Sequence, residues 1–220
     1  MRKFLITFIV LILIITATEL RATGFFNRTN IRLSPGAYFA LGGQYNDVYK
    51  LRKILNLGVN GGIALRFGLT NNTFLEFSAS ETWFSVKKEY RPFSYKENNP
   101  ALIMPMYFLN WVLYYKSNYV AEPYLTFGAG ISPWKFTRDG LFSRPWKAPA
   151  NSEENFSDIS FGVNAGLGLE VFLFQKISVF TEAKYYYFFM RNVSKFGTDD
   201  FNQQDFFGVN LGVIFYFKKI

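Results

Sequence analysis

Whatever chemistry this chain performs must be done without imidazole or thiol, because its 220 residues include no His and no Cys. That excludes disulfides, thiolate metal sites and a lipid-bearing Cys, and it removes the usual general base and the commonest metal ligand. Two groups of residues remain that could do something specific. Arg66, Glu76, Glu170, Glu182 and Lys184 fall on the small, polar side of alternating segments, beside Asn60, Asn164 and Asn210. Ions brought together in a narrow space are expected to pair and to be hydrogen-bonded. The second group is aromatic and basic: Trp134, Arg138, Arg144 and Trp146 lie in a stretch read as a long loop, where rings could stack on sugars and guanidinium groups could grip anions. Asp199 and Asp200 are adjacent acids in another long loop, a pattern that usually means a solvated pair. No catalytic residue, cofactor site or metal ligand is expected, and the chain reads as a non-enzyme.

The segments that must position these groups show a period of two. Leu57, Val59, Ile63, Leu65, Phe67 and Leu69 alternate with Gly58, Asn60, Gly62, Ala64, Arg66 and Gly68. The same split recurs around Phe161–Val171 and again around Phe207–Phe217. A soluble barrel would carry its bulk on the inner face. Here the polar face holds Gly, Asn, Arg and Glu, too small and hydrophilic for a dry core, so the bulky face is expected to point outward into an apolar solvent. The composition agrees: 27 Phe and 14 Tyr favour strands over helices.

Eight strands are predicted, at about 31–42, 56–69, 73–87, 101–115, 121–133, 158–173, 177–190 and 205–217. Their connections alternate long and short, with tight turns at 70–72, 116–120 and 174–176 between longer loops. Strands that cross hydrocarbon must close on themselves to satisfy their backbone groups. The fold class is therefore all-β, an eight-stranded antiparallel up-and-down transmembrane β-barrel. Trp83 near one end, and Trp111, Tyr114 and Tyr115 near the other, are expected to form interfacial belts. Pro105 should leave a bulge or an unpaired carbonyl in the fourth strand. Ahead of the barrel, Arg2 and Lys3, the apolar run Phe4–Ile15 and Thr16-Ala17-Thr18 have the layout of a secretory signal peptide. It is assigned to 1–18, with cleavage as late as 22, and the barrel domain to 19–220.

Leu102-Ile103-Met104-Pro105-Met106-Tyr107, Pro123–Gly130, Phe161–Glu170, Val179–Tyr185 and Gly208–Val213 together resemble the small outer-membrane β-barrel domain family, the OmpA/OmpX-like and PorT-like barrels of Gram-negative envelopes. The resemblance implies a monomer in the cell outer membrane, surrounded by membrane lipid and lipopolysaccharide and handled by the barrel-assembly machinery during biogenesis. The expected role is structural or interaction-based at the envelope, with an envelope or surface protein as partner. The alternatives are a small pore or a component of an envelope protein-export system, and a secreted lipocalin-like barrel holding an apolar ligand. The formal charge of +8 could suggest nucleic acid, but no nucleic-acid motif is present and the leader argues against that partner.

Overall fold

In the computed structural model, residues 29–43, 50–91, 98–115, 120–140, 145, 155–189 and 203–217 are described. The proposed leader, Arg144, Trp146 and the Asp199-Asp200 pair lie outside them. Eight antiparallel strands form a closed barrel in sequence order. They are β1 (Asn30–Ala40), β2 (Gly58–Gly68), β3 (Thr73–Ser85), β4 (Ala101–Tyr114), β5 (Ala121–Thr137), β6 (Ser157–Phe174), β7 (Ile177–Phe189) and β8 (Gln203–Tyr216). A four-residue helix, α1 (Leu51–Ile54), sits in the β1–β2 connection.

Register fixes the shape. Stepping from partner to partner, the rung Asn30, Arg66, Glu76, Asn110, Gly128, Asn164, Tyr186, Phe206 returns to β1 at Ala40, ten residues beyond its start. For eight strands that stagger corresponds to a tilt of roughly 40° and a radius of about 8 Å, a cylinder that side chains can fill. Most residues of this rung face inward, and Arg66 and Glu76 become direct cross-strand neighbours because the short turn after β2 sets their pairing.

Outward positions carry the bulk. Val59, Leu167, Leu211 and Phe161 are each more than half exposed, whereas Arg66 and Glu170 are fully buried. An apolar exterior around a charged interior is the arrangement expected in hydrocarbon. Trp83, Trp111 and Tyr115 share the outward parity of their strands, and the Trp83 Nε1–H donates to Glu81 Oε1 at 2.7 Å. Tyr114 does not join this belt: it has the inward parity of Asn110 and is buried inside.

The β4–β5 ladder is interrupted between Ile103↔Lys135 and Tyr107↔Ile131, without a change of register. That register sets Pro105 opposite Pro133, and neither can donate a backbone hydrogen bond. No bulge forms there. The Ser132 hydroxyl donates to the Pro105 carbonyl at 2.8 Å, so a side chain replaces the missing ladder donor.

Candidate functional site in the barrel lumen

The lumen has two layers. Towards the short-turn end, Arg32, Arg66 and Lys184 meet Glu76, Glu170 and Glu182, three cations against three carboxylates. Glu76 is the hub. It accepts from Arg32 Nη1 at 2.7 Å, Arg66 Nε at 2.5 Å and Asn110 Nδ2 at 3.0 Å, with Lys184 Nζ 3.7 Å away. Glu182 takes Lys184 at 3.2 Å, Arg32 at 3.3 Å and the Tyr124 hydroxyl at 3.1 Å. Glu170 takes the hydroxyls of Tyr114 and Ser178, and that of Tyr216 at 2.7 Å. The Tyr114 hydroxyl in turn accepts from Arg66 Nη1, which links Glu170 to the rest of the network.

The rings around these ions also solvate them. The Arg32 guanidinium lies 3.8 Å from the Phe180 ring centroid, and that of Arg66 5.0 Å from Tyr124. Glycines on the neighbouring strands make room for the rings. A Cβ at Gly168 would meet the Tyr124 ring, and one at Gly212 would meet Phe180. Small inward residues therefore alternate with large ones around the girth, which lets eight strands hold so many polar side chains. Above this cluster Asn164 donates to Asn110 at 2.9 Å, Asn60 to Thr82 at 2.8 Å and Asn210 to Tyr38 at 3.3 Å.

The layer towards the long loops is apolar. Tyr38 and Tyr186, with hydroxyl oxygens 3.0 Å apart, form its floor. Phe84, Met104, Met106, Phe108, Phe188 and Phe206 fill the barrel above them. α1 closes this end by burying Leu51 and Ile54 while Arg52 and Lys53 stay exposed. It is tied to the segment just after β3, where Lys87 N–H donates to the Ile54 carbonyl at 2.8 Å. The alternating segments predict a polar lumen; towards the long loops an aromatic core occupies it instead.

Of the residues singled out from sequence, Arg66, Glu76, Glu170, Glu182 and Lys184 are brought into one network. The sequence reading missed Arg32, Tyr114, Tyr124 and Tyr216. Parity carried the signal for Arg32, which alternates with Ile31 and Leu33. Tyr gave none by type, since the same side chain suits a lumen and an interface.

Trp134 is corrected. The sequence pattern places it in a loop, available for recognition, but β5 runs on past Pro133 to Thr137, and Trp134 points inward with 2% exposure. Its Nε1–H donates to Ser160 Oγ at 2.9 Å. Phe136 and Phe156, from the same supposed loop, stack at 4.8 Å between centroids inside the barrel mouth. The extension holds because Trp134 and Lys135 pair with Asp158 and Ser157 on β6. Arg138 follows directly, half-buried, just beyond the end of β5.

A closed eight-stranded barrel with an apolar exterior and a charged interior defines the class: a transmembrane β-barrel of the outer-membrane type. The solved structures agree. The chain is similar to Neisserial surface protein A, with a TM-score of 0.55 and 13% identity over 86% of this chain and 97% of that one. It is also similar to the outer membrane protein OprG from Pseudomonas aeruginosa, with a TM-score of 0.50 and 13% identity over 89% and 98% of the two chains. At these identities the likeness is one of fold. No protein-family model matches the chain, and no curated protein matches it by sequence.

Proposed function

We propose that this protein is an integral, non-conducting barrel of the outer membrane, with a structural or interaction role at the envelope. The observation that carries this reading is the charge-matched network in the lumen. Three cations and three carboxylates are mutually paired, an aromatic core lies above them, and the void beside Arg32, Glu76, Glu182 and Lys184 measures only ≈ 30 Å³. That is space for one or two waters and not for a hydrated ion path. Each carboxylate is held by Arg, Lys or Tyr and sealed from solvent, an arrangement that suits fixed shape and register better than turnover. A lipocalin-like ligand site is disfavoured by the same geometry, since the interior is full and the apolar face is outside. The loops on the aromatic side, with exposed Lys50, Arg52, Lys53 and Lys88, suit contact with lipopolysaccharide or an envelope partner.

Planar-bilayer recording of the purified protein tests the reading. Little or no steady conductance is expected, and large, reproducible open channels in the unaltered protein would overturn it.

A further inference from the structure

The outer wall is not uniformly convex. A shallow, open band of ≈ 720 Å³ runs over the apolar surface across β1–β6, lined by Ala79 and Ala129 together with larger residues such as Ile63, Phe77, Tyr107 and Ile131. The recess arises because two strands present a methyl group where their neighbours present large side chains. Tyr107 is the cross-strand partner of both Ala79 and Ile131, while Leu109, two residues on, faces Ala129.

Two polar features accompany this recess. Tyr107 is half exposed on the lipid-facing wall, and its hydroxyl has no hydrogen-bond partner among the described residues. A phenol in that position gains by turning towards the ester and headgroup level. Lys135 lies on the same outward face of β5, four residues beyond Ile131 and about 13 Å further along the strand towards the long-loop end. It forms no ion pair among the described residues. An ammonium placed over an apolar trough is complementary to a lipid whose phosphate sits at the interface and whose chain descends into hydrocarbon.

We infer that the β3–β5 wall is a binding site for a phosphate-bearing lipid of the outer leaflet. One acyl chain lies in the recess over Ala79 and Ala129, the Tyr107 hydroxyl donates to an ester carbonyl, and Lys135 meets the phosphate. Burying a chain there covers apolar wall that neighbouring side chains leave open. The inference rests on the membrane reading and adds a specific occupant to it.

The test is native mass spectrometry of the full chain, extracted from its own outer membrane in mild detergent, with retained lipid A and phospholipid counted per barrel. The unaltered protein is expected to keep a bound phosphate-bearing lipid. Lys135→Ala should lower its occupancy about fivefold, the worth of one interfacial cation. Ala129→Phe and Ala79→Leu, which fill the trough, should lower it at least as far. Ala183→Phe, on the outward face of β7, should leave it unchanged. Each variant is checked for heat-modifiable gel migration, so that loss of the barrel is distinguished from loss of the lipid. Folded variants that retain lipid like the parent overturn the site while leaving the membrane reading intact, whereas a parent that fails to fractionate with the outer membrane overturns both. Efficient disulfide-linked dimers of Ala129→Cys would assign the recess to a second copy instead and overturn the lipid site.

Discussion

Glu76 offers the sharpest test of how the lumen is held together. Its carboxylate accepts from Arg32, Arg66 and Asn110 and stands near Lys184. Glu76→Gln keeps the volume and removes the charge. Three buried cations would then face the two carboxylates of Glu170 and Glu182. Removing one partner of a buried ion pair costs about 3–5 kcal/mol, because the other charge remains desolvated and uncompensated. At about 1.4 kcal/mol per factor of ten, the unfolding equilibrium should shift by two to more than three powers of ten. The assay is reversible urea unfolding of the barrel refolded in lipid vesicles, followed by Trp fluorescence and by gel migration without boiling. A second variant separates charge from shape: Arg66→Met combined with Glu76→Leu removes one ion of each sign. The double variant should be less destabilised than the sum of its single changes, with a coupling of about 1–3 kcal/mol. Glu76→Gln within about 0.5 kcal/mol of the parent, the usual range of surface substitutions, would refute the claim that this network sets barrel stability.

Three further outcomes follow from the same geometry. Gly168→Val forces a branched side chain against the Tyr124 ring, so the barrel should lose about 1–3 kcal/mol of stability by overpacking, read in the same unfolding assay. Leu167→Arg places a cation on a wall position that is 64% exposed. It should cost about 2–4 kcal/mol in lipid if that position lies near the bilayer midplane, and a cost near zero would argue that Leu167 faces water. Trp134, enclosed at the barrel mouth, should emit at short wavelength and resist acrylamide; comparison of the parent with Trp134→Phe isolates its signal, and full quenching would contradict its buried position.

The strands and their faces were legible because burial in a barrel follows parity, and parity survives in sequence wherever large and small residues alternate. Arg66 and Glu170 could be placed inside before any coordinates, since each interrupts a run of glycine and asparagine opposite a run of leucine and phenylalanine, and Glu76 follows by sharing a face with Ser78, Ser80 and Thr82. Three things resisted. β4 is apolar on both faces, because Leu102, Met104, Met106 and Phe108 build the aromatic half of the lumen while Tyr107 and Leu109 face lipid. No single-strand pattern reveals that both environments are apolar. β5 is predicted to stop at 133 but runs on to Thr137; only the register shows Pro133 opposite Pro105, where one defect is shared and Ser132 repairs part of it. Tyr114 is expected at the interface by its type, whereas its even spacing from Asn110 puts it inside.

These misses share a cause that bears on what such a barrel can do. A narrow cylinder with a ten-residue stagger brings residues from distant strands to the same level. Whether a side chain sees ions or rings therefore depends on its height in the barrel as well as on its face. Arg32 and Glu182 are 150 positions apart in sequence yet 3.3 Å apart in space. Tyr38 and Tyr186 meet in the same way at the floor of the aromatic layer. Pairing across the lumen ties opposite walls directly, β1 to β3, β5 and β7 through Arg32 alone. A wall braced from within has a fixed outer contour. That rigidity is what allows a shallow feature such as the trough over Ala79 and Ala129 to persist against fluid hydrocarbon and to select a lipid. The exterior site and the interior network are therefore coupled: Glu76→Gln, in protein that remains folded, should weaken lipid retention at the β3–β5 wall without altering any of its outward-facing residues. Unchanged retention would show that the outer contour does not depend on the ions inside.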